Sequence, residues 1–278
     1  MRVQRSPAMA NERSTERVQI DSQPFAIIEL DDVGSTNTEA LRRAGDGERG
    51  PVWITARRQS AGRGRSGRSW VSVEGNLAAT LLISPGCSMT HLHQLSLVTG
   101  VALYDALAEI AGGPEKAAVA GLRLKWPNDI LLGEAKLGGI LIESTTRGTE
   151  IMAAIGVGVN IREAPAIEGR AIASVSQLGA IPLPRELLAA LDLHLRRWLG
   201  AWVMGARFDL VRAAWLARCG GTGQAIEINT GAERVSGAFA GIDETGALLI
   251  ASDPSSETPR RFTFGDVSLV PRTSKGFT

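Results

Sequence analysis

The sequence predicts an α+β fold in two parts, and three observations carry that expectation. Between Phe25 and about residue 220, apolar runs of strand length alternate with segments whose apolar residues recur every three or four positions. After Gly220 the helical spacing stops. Five short strand candidates follow, separated by turn residues, which is the pattern of a small β-barrel. Before Phe25 the chain is polar with scattered charge, so residues 1–24 are expected to be a disordered leader. The expected division is 1–24, a main domain over 25–220 and a C-terminal domain over 221–278.

The main domain opens with the apolar run Phe25 to Leu30. Thr36 begins a short helix: Thr36 and Glu39 have the capping-box spacing and Gly45 is placed to end it. Val52 to Ala56 reads as a strand, and Leu77 to Ser84 as a short buried one. Leu95, Val98, Ala102, Ala106 and Ile110 form one face of a helix. Leu122 to Trp126, Ile130 to Leu132, Leu137 to Glu143 and Ile151 to Val159 read as four strands. Gly133, Glu134 and Ala135 turn between the second and third. Leu188, Leu191, Leu195, Trp198 and Trp202 return to helix spacing, and Phe208, Val211 and Trp215 continue it in a second helix. In the C-terminal domain the strand candidates are Ala225 to Ile228, Arg234 to Gly241, Ala247 to Ile250, Arg261 to Phe264 and Val267 to Val270.

Bulk properties exclude several function classes. Of 278 residues 44% are hydrophobic, enough for a sizeable core. Thirty basic residues face 29 acidic ones, which argues against a general nucleic-acid or membrane-surface binder, so any anion site must come from local clustering. Cys87 and Cys219 fit no metal-ligand spacing and read as reduced core residues. His91 and His93 have no third partner in sequence and read as solvated or capping residues at a helix start. There is no apolar run of transmembrane length and no signal peptide, so a soluble cytoplasmic protein is the expectation.

The densest chemical signal is Gly62-Arg63-Gly64-Arg65-Ser66-Gly67-Arg68. Its glycines satisfy G-x-G-x-x-G, but Ser69 to Asn76 has no helical apolar face, so a dinucleotide-binding helix does not follow. The arginines carry more. Three guanidinium groups, spaced by glycines that let the backbone bend, suit phosphate or carboxylate oxygens, and a solvated loop or an unspecific RNA contact is the weaker reading. Lys125-Trp126-Pro127-Asn128-Asp129 lies between two strands and reads equally as a site or as a strand-connecting turn with a packed tryptophan. Lys136 precedes Leu137-Gly138-Gly139-Ile140-Leu141, and paired glycines inside a strand point to a ligand or another backbone coming close. Gly156-Val157-Gly158-Val159-Asn160 repeats that theme and ends on an amide able to donate and accept.

In order and spacing, these segments together with Ser35-Thr36-Asn37 resemble the biotin–protein ligases. The resemblance runs from about residue 25 to the end, where Gly241-Ile242-Asp243-Glu244-Thr245-Gly246-Ala247-Leu248-Leu249 is similar to the family's C-terminal barrel. It implies a mixed sheet with helices, related to class II aminoacyl-tRNA synthetases, plus a small SH3-like barrel. It also implies two steps, formation of biotinyl-5′-AMP from biotin and MgATP, then transfer to a lysine of a carboxylase's biotin carboxyl carrier domain. By the same resemblance, Ser35, Thr36, Asn37 and Gln59 form a biotin-binding turn. Arg63, Gly64 and Arg65 belong to the loop covering biotin and the adenylate phosphate, and Arg65 and Lys136 act in catalysis. Gly138 and Gly139 let the strand lie against biotin. Arg68, Trp70, Lys125, Asn128, Asp129 and Asn160 serve ATP, with Asp129 a candidate for its Mg²⁺.

Fixed cations beside a carboxylate meeting a polyphosphate suit adenylation, and no activated enzyme nucleophile is needed. The residues before Phe25 are too few for the winged-helix domain of the family's repressors, so no DNA target is expected, and the chain is expected to act as a monomer or weak homodimer. The rival readings are a lipoate– or octanoate–protein ligase of the same fold and a non-catalytic RNA-binding module. The near-zero net charge and the single nearby aromatic, Trp70, weigh against the second.

Overall fold

The computed structural model describes residues 23–251 and 258–270, so the expected leader lies, but for its last two residues, outside them. The main domain is built on a seven-stranded mixed sheet in the order β1-β2-β3-β7-β6-β5-β4. β1 (Ala26–Val33) and β2 (Val52–Gln59) are parallel, and α1 (Thr36–Gly45) is the crossover that a parallel pair requires. β3 (Leu77–Ile83), β4 (Leu122–Lys125), β5 (Asp129–Leu132), β6 (Ala135–Arg147) and β7 (Glu150–Val159) all pair antiparallel with their neighbours.

Alternation along the central strands sorts the two faces. Leu77, Ala79 and Leu81 of β3 join Ala153, Ile155 and Val157 of β7 in the main core, with α2 (Gln94–Ile110) and α4 (Pro184–Trp202). The intervening Leu82, Met152 and Ala154 face the other way, where Ala40 and Ala44 of α1 cover them. α2 is buried on nearly every side because α4 and α5 (Phe208–Leu216) pack outside it, so Leu97, Val101, Leu103 and Leu107 are as buried as the expected face. Trp53 Nε1 donates to Asp192 Oδ1 at 2.9 Å, and Arg196 Nε donates to Asp192 Oδ2 at 2.9 Å, which ties α4 to β2 inside the core.

Two local expectations are corrected. The capping box at α1 does not form: Ser35 is the N-cap residue, the Thr36 hydroxyl turns to Gln59, and Glu39 bonds Arg42 and Arg43 instead. A short helix that the sequence reading lacked, α3 (Pro114–Val119), follows α2. Cys87 and Cys219 are both buried and unbridged, as expected.

The expected small all-β unit is a five-stranded antiparallel sheet in the order β11-β10-β9-β8-β12. Its strands are β8 (Ala225–Asn229), β9 (Arg234–Ile242), β10 (Leu248–Ala251), β11 (Arg260–Phe262) and β12 (Asp266–Leu269). It is docked on the main domain through the β9–β10 turn. Trp126 Nε1 donates to the Gly246 carbonyl at 3.0 Å, and His93 Nε2 lies 2.7 Å from the Thr245 carbonyl, so His93, exposed at the N-cap of α2 as expected, is also a joint between the units. Trp215 packs edge-on to Phe239, with ring centroids 6.3 Å apart. Among the described residues no helix is long and apolar enough to cross a membrane.

Candidate functional site

The α1 face of the sheet is filled by helix at one end and left bare at the other. On β7 that face runs Met152, Ala154, Gly156, Gly158, so side chains shrink to nothing where α1 no longer covers the strand. The missing side chains make room for two specific neighbours. A Cβ on Gly156 would stand 2.2 Å from Asn37 Oδ1, and one on Gly158 would stand 2.5 Å from the Trp70 ring. The result is a cavity of about 410 Å³.

One end of the cavity is neutral and polar. Ser35, Thr36 and Asn37 are buried at the start of α1, and Thr36 N donates to Gln59 Oε1 at 2.9 Å. The Thr80 hydroxyl, on β3 and fully buried, lies 2.8 Å from Thr36 Oγ1 and 2.6 Å from Asn37 Oδ1. The turn is thus held from beneath by a closed set of hydrogen bonds, which fixes the directions of its side chains.

The other end is cationic. Lys136 Nζ stands 2.5 Å from Asp129 Oδ1, and Lys125 Nζ stands 3.4 Å from Asp129 Oδ2. Burial pushes the Asp129 carboxyl up, but these two ammonium groups overcome it and hold the carboxyl below the ordinary aspartate range. The ammonium of Lys136 also lies 5.9 Å from the centre of the Trp70 ring, within cation–π range. A Cβ on Gly139 would meet Lys136 Nζ at 3.1 Å, so this glycine makes room for the lysine head. Asn160, 2% exposed, donates to the Ala173 carbonyl at 3.1 Å, while its Oδ1 has no partner among the described residues.

The glycine–arginine segment is a tight hairpin. Arg63 pairs with Ser69 as an isolated bridge, Gly64 N donates to Arg68 O at 2.7 Å, and Ser66 and Gly67 turn the chain with φ of 54° and 71°. Its three arginines do not form an open basic surface. Arg63 pairs with Glu143, Arg68 pairs with Asp266, and Arg65 donates to Asn128 Oδ1 and to the Gly265 carbonyl, each at 3.0 Å. Burial lowers the Arg65 guanidinium from its ordinary value, with the carboxylates of Asp266 and Asp129 acting against that.

All but one of the site residues expected from the sequence line this cavity. The exception is Gly138: a Cβ there would meet the Gly158 carbonyl oxygen at 2.8 Å, so it serves close approach of β7 and faces away from the ligand space. Asp129 faces two ammonium groups, and among the described residues no group of three or more His, Cys, Asp or Glu could hold a metal. The donor set therefore does not fit a protein-held Mg²⁺. Sequence reasoning missed Thr80, Glu143, the 165–172 segment, of which Ala171 accepts from Lys136 N, and Asp266 to Ser268 of β12. None of these carries a local sequence signal; they reach the site only through long-range pairing.

Comparison with known proteins points to one family. Residues 33–160 match the model of the Biotin/lipoate A/B protein ligase family, and residues 221–270 match the Biotin protein ligase C terminal domain. A biotin–[acetyl-CoA-carboxylase] ligase of Paracoccus denitrificans is 44% identical over 223 residues, 78% of this chain and 90% of that protein. The bifunctional ligase/repressor BirA of Escherichia coli is 31% identical over 248 residues, 84% of this chain and 71% of its own. The solved biotin protein ligase from Aquifex aeolicus in complex with biotin and ATP superposes with a TM-score of 0.71 at 26% identity, covering 88% of this chain and 98% of that one. With both parts matched in order, and with a relative so similar over nearly its whole length, this chain belongs to the biotin–protein ligase family.

Proposed function

We propose that this chain activates biotin with ATP and transfers the biotinyl group to a lysine of a biotin carboxyl carrier domain of a carboxylase. The observation that carries the reading is the division of one cavity into a buried neutral polar end at Ser35, Thr36, Asn37 and Gln59 and a cationic end at Arg65, Lys125 and Lys136. The polar end suits a small uncharged head group, and the cationic end suits the place where carboxylate and phosphates meet.

In the first step a biotin carboxylate oxygen attacks the α-phosphorus of ATP, and pyrophosphate leaves. Two anions must approach, so Lys136 and Arg65 offset their repulsion and stabilise the charge of the pentavalent transition state. Trp70 walls the site and keeps water from the resulting mixed anhydride. In the second step the ε-amine of the acceptor lysine attacks the biotinyl carbonyl, and AMP leaves. Neither step needs a nucleophile from the enzyme, since the substrates supply both. Mg²⁺ enters as the companion of the ATP polyphosphate. We place the activity in the cytoplasm, in a monomer or weak homodimer whose partner is the carrier domain and which has no DNA or membrane target. Incubation with biotin, ATP and Mg²⁺ should yield biotinyl-AMP and pyrophosphate. Pyrophosphate release with lipoate or octanoate but not with biotin would overturn the reading.

A further inference from the structure

Glu143 stands outside the cavity lining, yet it joins two parts of the site. It lies on β6 two residues beyond Leu141 and four beyond Gly139, on the face that carries the site. β5 pairs with β6 only as far as Gly139, so at Glu143 the described ladder has β7 alone as its neighbour. One carboxylate oxygen, Oε2, accepts from Asn37 Nδ2 at 2.9 Å and from Arg63 Nη2 at 3.0 Å. Arg63 Nη2 also donates to Thr38 Oγ1 at 3.1 Å. The same Asn37 nitrogen donates to the Leu141 carbonyl at 3.2 Å, and Asn37 Oδ1 faces the Thr80 hydroxyl. Both N–H donors of the Asn37 amide are therefore assigned, and among the described residues Glu143 is its only charged partner.

A carboxylate here is costly for an enzyme whose substrates are anions. It adds a negative charge to the wall of a site that must admit anions, and a neutral acceptor would satisfy the Asn37 amide as well. What a neutral acceptor lacks is the charge that holds an arginine. We propose that Glu143 is a positioning residue that couples the glycine–arginine loop to the Ser35–Asn37 turn. It fixes the Asn37 amide in one orientation and anchors the loop at Arg63, so that closure over the adenylate pivots about that end. The proposal rests on the biotin-ligase reading above. Its two jobs differ in what they need: orientation needs an acceptor, whereas anchoring needs the negative charge.

The test compares the full-length wild type with Glu143→Gln and Glu143→Ala, reading the biotin KM and kcat of adenylate formation and the rate at which bound biotinyl-AMP is released. For Glu143→Ala the biotin KM should rise about tenfold with kcat within about twofold, and release should be faster. For Glu143→Gln the KM should stay within about twofold of wild type, while release is as fast as in Glu143→Ala. Wild-type release from Glu143→Gln overturns the anchoring role even if Glu143→Ala does not fold. A fall in kcat at unchanged KM and unchanged release in both variants overturns the proposal as a whole. Absence of biotin-dependent adenylate from the wild type instead overturns the functional reading on which it rests.

Discussion

Lys136 and Asn160 illustrate how single residues hold the site ready. Asn160 has a buried acceptor with no partner among the described residues, and a ligand donor would satisfy it. Lys136 and Lys125 hold Asp129 ionised, and in return Asp129 aims the Lys136 ammonium beneath Trp70. Its arrangement is preorganised charge, the kind that needs no rearrangement during the reaction. Lys136→Ala should therefore slow adenylate formation by about 3 kcal/mol, or about 150-fold, as for loss of one preorganised donor. Asp129 keeps Lys125 as a partner, so the melting temperature should fall only modestly. Single-turnover adenylation beside a melting curve checks both. A rate within about threefold of wild type would remove Lys136 from the reacting centre.

The β9–β10 turn makes the point for elements. Its segment, Gly241 to Leu249, helped carry the family resemblance, and its work is to join the two units. Asp243 Oδ1 accepts from Thr245 N, Thr245 Oγ1 and Ala247 N, and Oδ2 accepts from Arg261, so the turn presents the Thr245 and Gly246 carbonyls to His93 and Trp126. Burial pushes the Asp243 carboxyl up, but the Arg261 guanidinium and the Thr245 and Ala247 donors outweigh it and bring it from 3.8 down to about 2. A pKa depressed on folding adds stability that is complete above the unfolded value of 3.8 and is lost as pH falls through about 2. The amount is on the order of 2 kcal/mol. Asp243→Asn should be less stable by about that much near pH 7, with the gap closing in acid. A gap of constant size across thermal melts from neutral to acid pH would show that charge is not its source.

Elements were legible in the sequence where period and length agreed. The short apolar runs of β3 and β7 and the three- and four-residue spacing of α4 and α5 marked those elements to within a few residues. β6 runs on to Arg147, beyond its expected end at Glu143, because the polar Ser144, Thr145 and Thr146 still pair with β7. α3 was hidden by its six-residue length. The cavity was legible because its glycines, arginines and lysines are unusual in composition. Glu143 and Thr80 were not, since an acid and a hydroxyl on a strand look ordinary until the sheet brings them to Asn37.

At the scale of the whole molecule, Arg65 spans three parts of the chain at once. It sits on the glycine–arginine hairpin, reaches Asn128 in the turn after β4, and reaches Gly265 before β12 in the C-terminal unit. Its neighbour Arg68 repeats the last link through Asp266. The C-terminal unit is thus a wall of the cavity, and opening the hairpin must break contacts with it. Biotinyl-AMP is a reactive anhydride, so the molecule must hold it until an acceptor lysine arrives and must then admit that lysine. Arg65→Gly removes both links while leaving Lys136, Asp129 and the Ser35–Asn37 turn in place. Charged hydrogen bonds contribute about 1.5–3 kcal/mol, so the intermediate should escape on the order of ten- to a hundredfold faster. Free adenylate acylates any exposed lysine, and the variant should label a bystander protein that the wild type leaves untouched. The measurement is labelling of an added non-acceptor protein by the two enzymes at matched adenylate production, alongside the dissociation rate of biotinyl-AMP. Equal labelling with an unchanged dissociation rate would mean that the hairpin does not retain the intermediate, and that its contacts with the C-terminal unit serve the fold alone.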